Sequence, residues 1–564
     1  LFKAVPAEGR GKWQLEYETL TTTQRTIHLH GRHLVGGVRP INLPISKTGS
    51  NNLAGAMAKV FSQRGTSIAV GSTIPNIWRT ARVIAKSLEP LIDVPEEIRL
   101  VQRFLSTERS PEFELIGMLE KGIGVHHAGL PAEALSLMEW LTEEGHIRIL
   151  CASMTIAQGL NFPVSSVFLA SVKYPYGIKM RPREFWNLAG RAGRIGHDSV
   201  GVVGIAAGDI QEELKQFVSD ATGELASRLT SMLDQLSEQG NLGNLTAVFH
   251  QEQWADFRSY IAHLWNEKKN LDVVIAEAEQ LLRNTYGFSS LRAKQDKDAT
   301  EQADTLLEVT KSYVRELADY PENAALADST GFSPEGVRTA LLGLNNLENK
   351  LVAQDWQPDS LFGNAQGKSA LPELMGVMLK LPQLKENLSK LVDKGKSSEH
   401  LAEIIQAWVS GTSLADIAIT YFSKGEDFTV ALSDACRAVY RNLADNGAWG
   451  LSALSKMPTS GIDFENLSEE ERRMLNNLPA MLYHGVKTEE GVLMRMNSVP
   501  RSIAERLGED FKQRISGNTG LSPTKAADYI NSLNASAWEE LKPEGAALTG
   551  EDYRAIWKRL SGVR

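Results

Sequence analysis

At 564 residues, 42% hydrophobic and 23% charged, the chain has the composition of a soluble globular protein with room for roughly two to four domains. No window approaches the ~20 uninterrupted apolar residues of a membrane span, and the opening LFKAVPAEGRGKW lacks the apolar core of a secretory signal. Two distant cysteines, Cys151 and Cys436, argue against a disulfide framework or a cysteine zinc site and point to a reducing cytoplasm; the net charge of −9 leaves any nucleic-acid binding to a local basic lining.

Residues 1–40 mix Gly, Thr and Arg with short apolar runs, and WQLEYETL followed by TIHLHG reads as a hairpin or connector. From residue 53 helix and strand patterns alternate. LAGAMAKVFSQ predicts a helix, TSIAVGS a strand, and IWRTARVIAKSLEPL a helix with Ile77, Ala81, Ile84 and Leu88 on one face. Leu115 to Lys121 precede the short strand GVHHAG, and PAEALSLMEWLTEEG is a helix opened by Pro131 and closed by Gly145. HIRILCAS and VSSVFLASV are strands, REFWNLAGRA a helix and VGVVGIAA a last strand. This alternation predicts an α/β parallel-sheet domain with crossover helices on both faces. Beyond Asp209 almost every apolar pattern has helical spacing, broken by polar stretches at 241–244, 293–298, 357–368 and 394–398. The rear of the chain therefore reads as a mainly α-helical region of several subdomains.

The chemistry-bearing signals sit at the ends of the predicted strands. Asn187-Leu-Ala-Gly190-Arg191-Ala-Gly193-Arg194 interleaves glycines with arginines, letting backbone and guanidinium groups approach a polyphosphate; alone, it reads equally well as a solvated Gly/Arg loop. Upstream, Cys151-Ala-Ser153-Met-Thr155-Ile-Ala-Gln-Gly159-Leu-Asn161 places hydroxyls and small residues after an apolar strand, which suits phosphate contact or a plain strand-to-helix turn. His126-His127-Ala128-Gly129 ends another strand. Adjacent strand residues point to opposite faces and no further ligand follows at suitable spacing, so no metal site is expected. Val70-Gly71-Ser72-Thr73 ends a fourth. Four polar strand ends on one edge of a parallel sheet would form its ligand crevice.

VGST, VHHAGLP, ASMTIAQGLNFP and NLAGRAGRIG, in this order within residues 70–196, resemble motifs IV, IVa, V and VI of the Ski-like superfamily 2 helicases. The resemblance implies that the domain is RecA-like and is the second lobe of an ATP-driven motor. Arg191 and Arg194 match the motif VI arginines, with Arg194 the better candidate for the finger on the γ-phosphate; Asn187 stands where the family usually has Gln. By the same resemblance Gly159, Asn161, Asn187 and Gly190 face the nucleotide, while Ser72, Thr73, His127, Gly129, Ser153 and Thr155 line the cleft for single-stranded DNA or RNA. Translocation from 3′ to 5′ is implied too. Neither a G-x-x-x-x-G-K-[ST] phosphate loop nor a DExH-type acidic pair is found; Ser46-Lys47-Thr48-Gly49 has the wrong order. The family carries both on a preceding lobe, so ATP is expected between the two lobes, with the phosphate loop and the Mg²⁺ ligands on an N-terminal domain outside this chain, unless the chain is a non-catalytic binding or scaffold subunit.

On this reading residues 1–40 are a connector from the absent lobe and 41–210 the second RecA-like domain. Residues 211–330 are a helical or winged-helix region, 331–480 a ratchet-like bundle and 481–564 a small helical module. In the bundle, Arg437, Tyr440, Arg441 and Trp449 offer cationic and stacking contacts or, equally, core aromatics with a solvated Arg face. Residues 485–529 read as a backbone-binding helical hairpin. The chain is also somewhat similar to helicase subunits of Hachiman-type antiphage systems, which pair a helicase with a nuclease.

Overall fold

The structure is a computed structural model. It describes residues 2–6, 13–17, 39–41, 49–154, 164–172, 180, 185, 188, 192, 201–206, 255–284, 286–293, 297–363, 369–392, 397–423, 427–514 and 521–562. An eight-stranded sheet is built from β1 (Phe2–Pro6), β2 (Trp13–Tyr17), β3 (Arg39–Ile41), β4 (Ser67–Gly71), β5 (Ile123–His126), β6 (Ile149–Ser153), β7 (Ser166–Leu169) and β8 (Val202–Ile205). Its order is β3-β2-β1-β8-β7-β4-β6-β5. The five strands β8-β7-β4-β6-β5 pair in parallel, as the alternation of patterns predicts. β1 adds to β8 in parallel and turns back antiparallel through β2 to β3. The WQLEY run thus extends the sheet, while TIHLHG lies outside the described residues.

Every residue of β4, β5 and β7 is buried, which only a sheet covered on both faces allows, and which explains why these strands read as apolar runs rather than alternations. The Ser67 and Ser166 hydroxyls, 2.6 Å apart, satisfy each other inside the sheet. Covering helices are α1 (Ser50–Phe61), α2 (Ile74–Ala85), α3 (Glu96–Glu108), α4 (Leu115–Leu119) and α5 (Ala132–Glu143). α2 buries Ile77, Ala81 and Ile84 but stops before Leu88. α1 meets α2 so closely that a Cβ on Gly55 would stand 2.6 Å from Thr80 Cγ2. α3 was not among the expected elements, although Ile98, Val101, Phe104 and Leu105 form its buried stripe and Glu96 and Glu97 favour its positive end.

The chain divides into two compact units. The first joins residues 1–223 to 412–438 and 490–564. Its later helices pack on the sheet's helical cover. Arg103 of α3 makes a two-pronged pair with Asp552 at 3.0 and 2.7 Å. Arg559 lies over the Trp140 ring of α5, 5.1 Å from its centre. The second unit, 224–411 with 439–489, is helical in every regular element described. It is organised around tryptophans whose rings sit in the core while their N–H groups find carbonyls: Trp356 on Ser460 and Trp408 on Leu482, both at 2.9 Å. The protein is therefore an α/β, RecA-like parallel-sheet domain followed by a mainly helical region.

Candidate nucleic-acid and nucleotide interface

Parallel pairing fixes which strand ends become neighbours. Gly71 at the end of β4 stands opposite Ser153 at the end of β6, and Ala152 opposite His126 at the end of β5. Ser72 and Thr73, Ser153, and His127 with Gly129 therefore follow one another along the carboxyl edge of β4-β6-β5, where open α/β sheets hold ligands. Ser72 is half-buried; its N–H donates to Asn51 Oδ1 at 3.3 Å and its hydroxyl accepts from Asn76 Nδ2 at 3.1 Å. Thr73 is the extended N-cap residue of α2, and its side chain makes no capping bond there. Ser153 is half-buried.

The two histidines diverge, as adjacent strand positions must. His126 Nε2 meets Glu139 Oε1 of α5 at 3.1 Å. His127 is 1% exposed and lies edge-on to Trp78 of α2, with ring centres 5.6 Å apart. Its Nδ1 accepts the Gly129 N–H at 3.0 Å, tying the 127–129 turn to itself and leaving the ring proton on Nε2. Burial, reinforced by the charges of His126 and Arg437, pushes its pKa down from 6.5 to about 3. Folded, the ring stays neutral to about pH 3; unfolded, it takes a proton near 6.5. The unfolded state thus binds more protons across that interval, and stability falls as pH falls through it. Denaturation midpoints measured at stepped pH below 6.5 should show about 1.4 kcal/mol lost per unit that His127→Asn does not show. Parallel slopes in the two proteins would remove this contribution.

Above this turn lies the helix Phe428–Arg437. Asp427 caps it, accepting from Thr429 N at 3.0 Å, and pairs with Arg82 of α2 at 2.7 Å. Trp78 Nε1 donates to Ser433 Oγ at 3.0 Å. A Cβ on Gly129 would stand 3.0 Å from the Ser433 carbonyl oxygen, so the glycine is what lets the helix close over the turn. Beneath the start of α5, Glu133 (19% exposed) meets Arg495 (9%) at 2.5 Å. Burial alone would raise its carboxyl, but Arg495 and Arg109 hold it down at about 2. Trp78, Ser433, Glu133 and Arg495 were absent from the sequence reading; their partners stand hundreds of residues away.

Thr155, Gly159, Asn161, Asn187, Gly190, Arg191 and Arg194 lie outside the described residues. Of the surrounding stretch, Phe185 and Leu188 are buried three positions apart, and Ala192 forms a parallel bridge with Val164, on the segment entering β7. Elsewhere, Arg437 leans on Asp434 at 3.4 Å. In the helical unit Tyr440 packs edge-on to Trp408, Arg441 is exposed, and Trp449 is 37% exposed with its N–H on the Thr330 carbonyl at 2.8 Å. The hairpin expected at 485–529 is engaged internally. Glu108 of α3 accepts from both the N–H and the hydroxyl of Ser502 at the start of helix Arg501–Arg514, and Tyr529 donates to Asp510 at 2.5 Å. Among the described residues no group of three or more His, Cys, Asp and Glu side chains could hold a metal ion.

No family model matches the chain. It is 44% identical over 93 residues to the antiviral helicase SKI2 of Saccharomyces cerevisiae, covering 16% of this chain and 7% of that protein. It is 33% identical over 96 residues to the Hachiman protein HamB of Bacillus cereus (17% and 9%). To the DExH-box ATP-dependent RNA helicase DExH9 of Arabidopsis thaliana it is 31% identical over 189 residues (31% and 19%). The match spans less than a fifth of each relative's length. The chain is related to the Ski-like superfamily 2 helicases, and its general kind is helicase-related.

Proposed function

We propose that this chain supplies the second lobe and strand-gripping region of an ATP-dependent nucleic-acid translocase moving 3′ to 5′. The observation that carries the reading is the alignment of the β4, β6 and β5 carboxyl ends, which sets three of the four helicase-like motifs along one edge. ATP lies between this edge and a lobe bearing the phosphate loop. Gly159, Asn161, Asn187 and Gly190 meet the nucleotide; Arg194, assisted by Arg191, offsets the charge developing on the γ-phosphoryl group. Ser72, Thr73, Ser153 and Thr155 contact phosphate and sugar of a single strand beside the His127–Gly129 turn. Such contacts position a strand without reading its sequence, so they serve DNA and RNA alike. As the resemblance implies, Mg²⁺ would be held by acidic residues of the preceding lobe, where it would offset phosphoryl charge.

The likeness to an antiviral helicase and to the Hachiman protein HamB supports a role in antiviral defence, and action on phage beside a nuclease subunit in the cytoplasm is part of the same proposal. The test is ATP hydrolysis by the full-length protein with and without single-stranded DNA or RNA. Strong stimulation by at least one strand is expected. Tight strand binding with no hydrolysis would instead identify a scaffold that kept half a motor.

A further inference from the structure

We infer that Ser433 is a positioning residue for the strand-gripping edge, fixing the turn after β4 relative to the turn after β5. The inference rests on the proposed function and adds a control element to that site.

A parallel sheet aligns its strand ends only as far as the last paired residue. Beyond Gly71 and His126 the two turns run on separately, β4 into α2 and β5 into the 127–131 segment. Grip on a phosphodiester backbone depends on their mutual spacing, because successive phosphates come at a set interval. One residue touches both sides. The Ser433 hydroxyl accepts from Trp78 Nε1 at the start of the second turn of α2, beyond Ser72 and Thr73, while donating to the Thr429 carbonyl at 2.8 Å. Its own carbonyl oxygen stands over Gly129, 3.0 Å from where a Cβ would be. Ser433 is 1% exposed, Trp78 fully buried and His127 1% exposed, so water does not compete for these contacts.

The third side closes through His127, whose ring bears edge-on against Trp78 while its Nδ1 holds the Gly129 N–H. Trp78, Ser433, Gly129 and His127 therefore form a closed ring of contacts. Arg82 extends the restraint, binding Glu114 at 2.6 Å and Asp427, the cap of the same helix, at 2.7 Å. A displacement of helix Phe428–Arg437 would move both turns together, whereas loss of the Ser433 hydroxyl loosens α2 against the β5 turn, leaving it held by the His127 ring and the Arg82–Asp427 pair.

The test uses the full-length protein and compares Ser433→Ala, Trp78→Phe and the double variant. Each single change removes one member of a buried hydrogen bond; Ser433→Ala keeps the shape, while Trp78→Phe also leaves a small cavity that thermal unfolding registers. The quantity read is the strand concentration giving half-maximal stimulation of ATP hydrolysis, beside unstimulated turnover and thermal unfolding. A positioning role predicts a rise of about five- to tenfold in that concentration for either single variant, from a bond worth about 1 kcal/mol and the looseness it leaves. Unstimulated turnover should stay within about twofold, and the double variant should match the singles, because both remove the same bond. Single variants that stimulate like wild type, or that lose stimulated and unstimulated turnover in parallel with folding, would overturn the inference. A wild-type protein that no strand stimulates would instead sink the translocase reading on which it rests.

Discussion

Arg194→Ala in the full-length protein is expected to lower strand-stimulated ATP turnover about a thousandfold or more while leaving single-strand affinity within about threefold. The charge on a γ-phosphoryl group is greatest in the transition state, so a guanidinium placed there acts on turnover rather than on ground-state binding. Arg194→Lys should not restore the rate, since a point charge on a flexible stem does not reproduce the planar donor fork. Steady-state hydrolysis and fluorescence-anisotropy titration with a labelled strand separate the two effects. Unchanged turnover in Arg194→Ala would remove the finger assignment.

The second large effect is expected at the part-buried pair between Glu133, in the first turn of α5, and Arg495. Glu133→Ala leaves Arg495, 9% exposed, without its carboxylate and should cost roughly 3–5 kcal/mol. Hydrogen exchange should quicken at the first turn of α5 and across helix Glu489–Met496, while the second unit is unaffected. Replacing both partners, Glu133→Leu with Arg495→Met, should recover most of the loss, since apolar groups of similar volume need no partner. The wild-type pair also has a pH signature. Because the folded carboxyl sits at about 2 rather than 4.5, its contribution is complete above 4.5 and is lost as pH falls from there towards 2. That loss should be absent from Glu133→Ala. Equal stability of single variant and wild type would show the pair to be incidental.

Much of the first unit's sheet was legible because its strands carry a signature that needs no tertiary knowledge. SIAVG, IGVH and SVFL are short apolar runs closed by small polar residues, and the structure buries each of them completely. Ile77, Ala81 and Ile84 marked the inner face of α2 in the same way. Behind Pro95, α3 carries an equally regular stripe of Ile98, Val101, Phe104 and Leu105, set among charged residues. The site was legible as a set of strand ends and no further. That His127 lies under Trp78 and Ser433 depends on a helix some three hundred residues downstream, and one hydrogen bond at that separation leaves no periodicity in a single sequence. The same holds for Arg103 and Asp552, 449 positions apart, and for Glu133 and Arg495, 362 apart. In the 485–529 stretch, read as a backbone-binding helical hairpin, the tie of Ser502 to Glu108 of α3, 394 positions away, is equally invisible in the sequence.

The most direct test of a motor lobe is unwinding of duplexes that carry a single-stranded tail on one side only. With the full-length protein, the duplex with a 3′ tail should be separated in the presence of ATP and left intact without it, while the 5′-tailed duplex persists. Binding to both tails with no ATP-dependent separation of either would contradict the account.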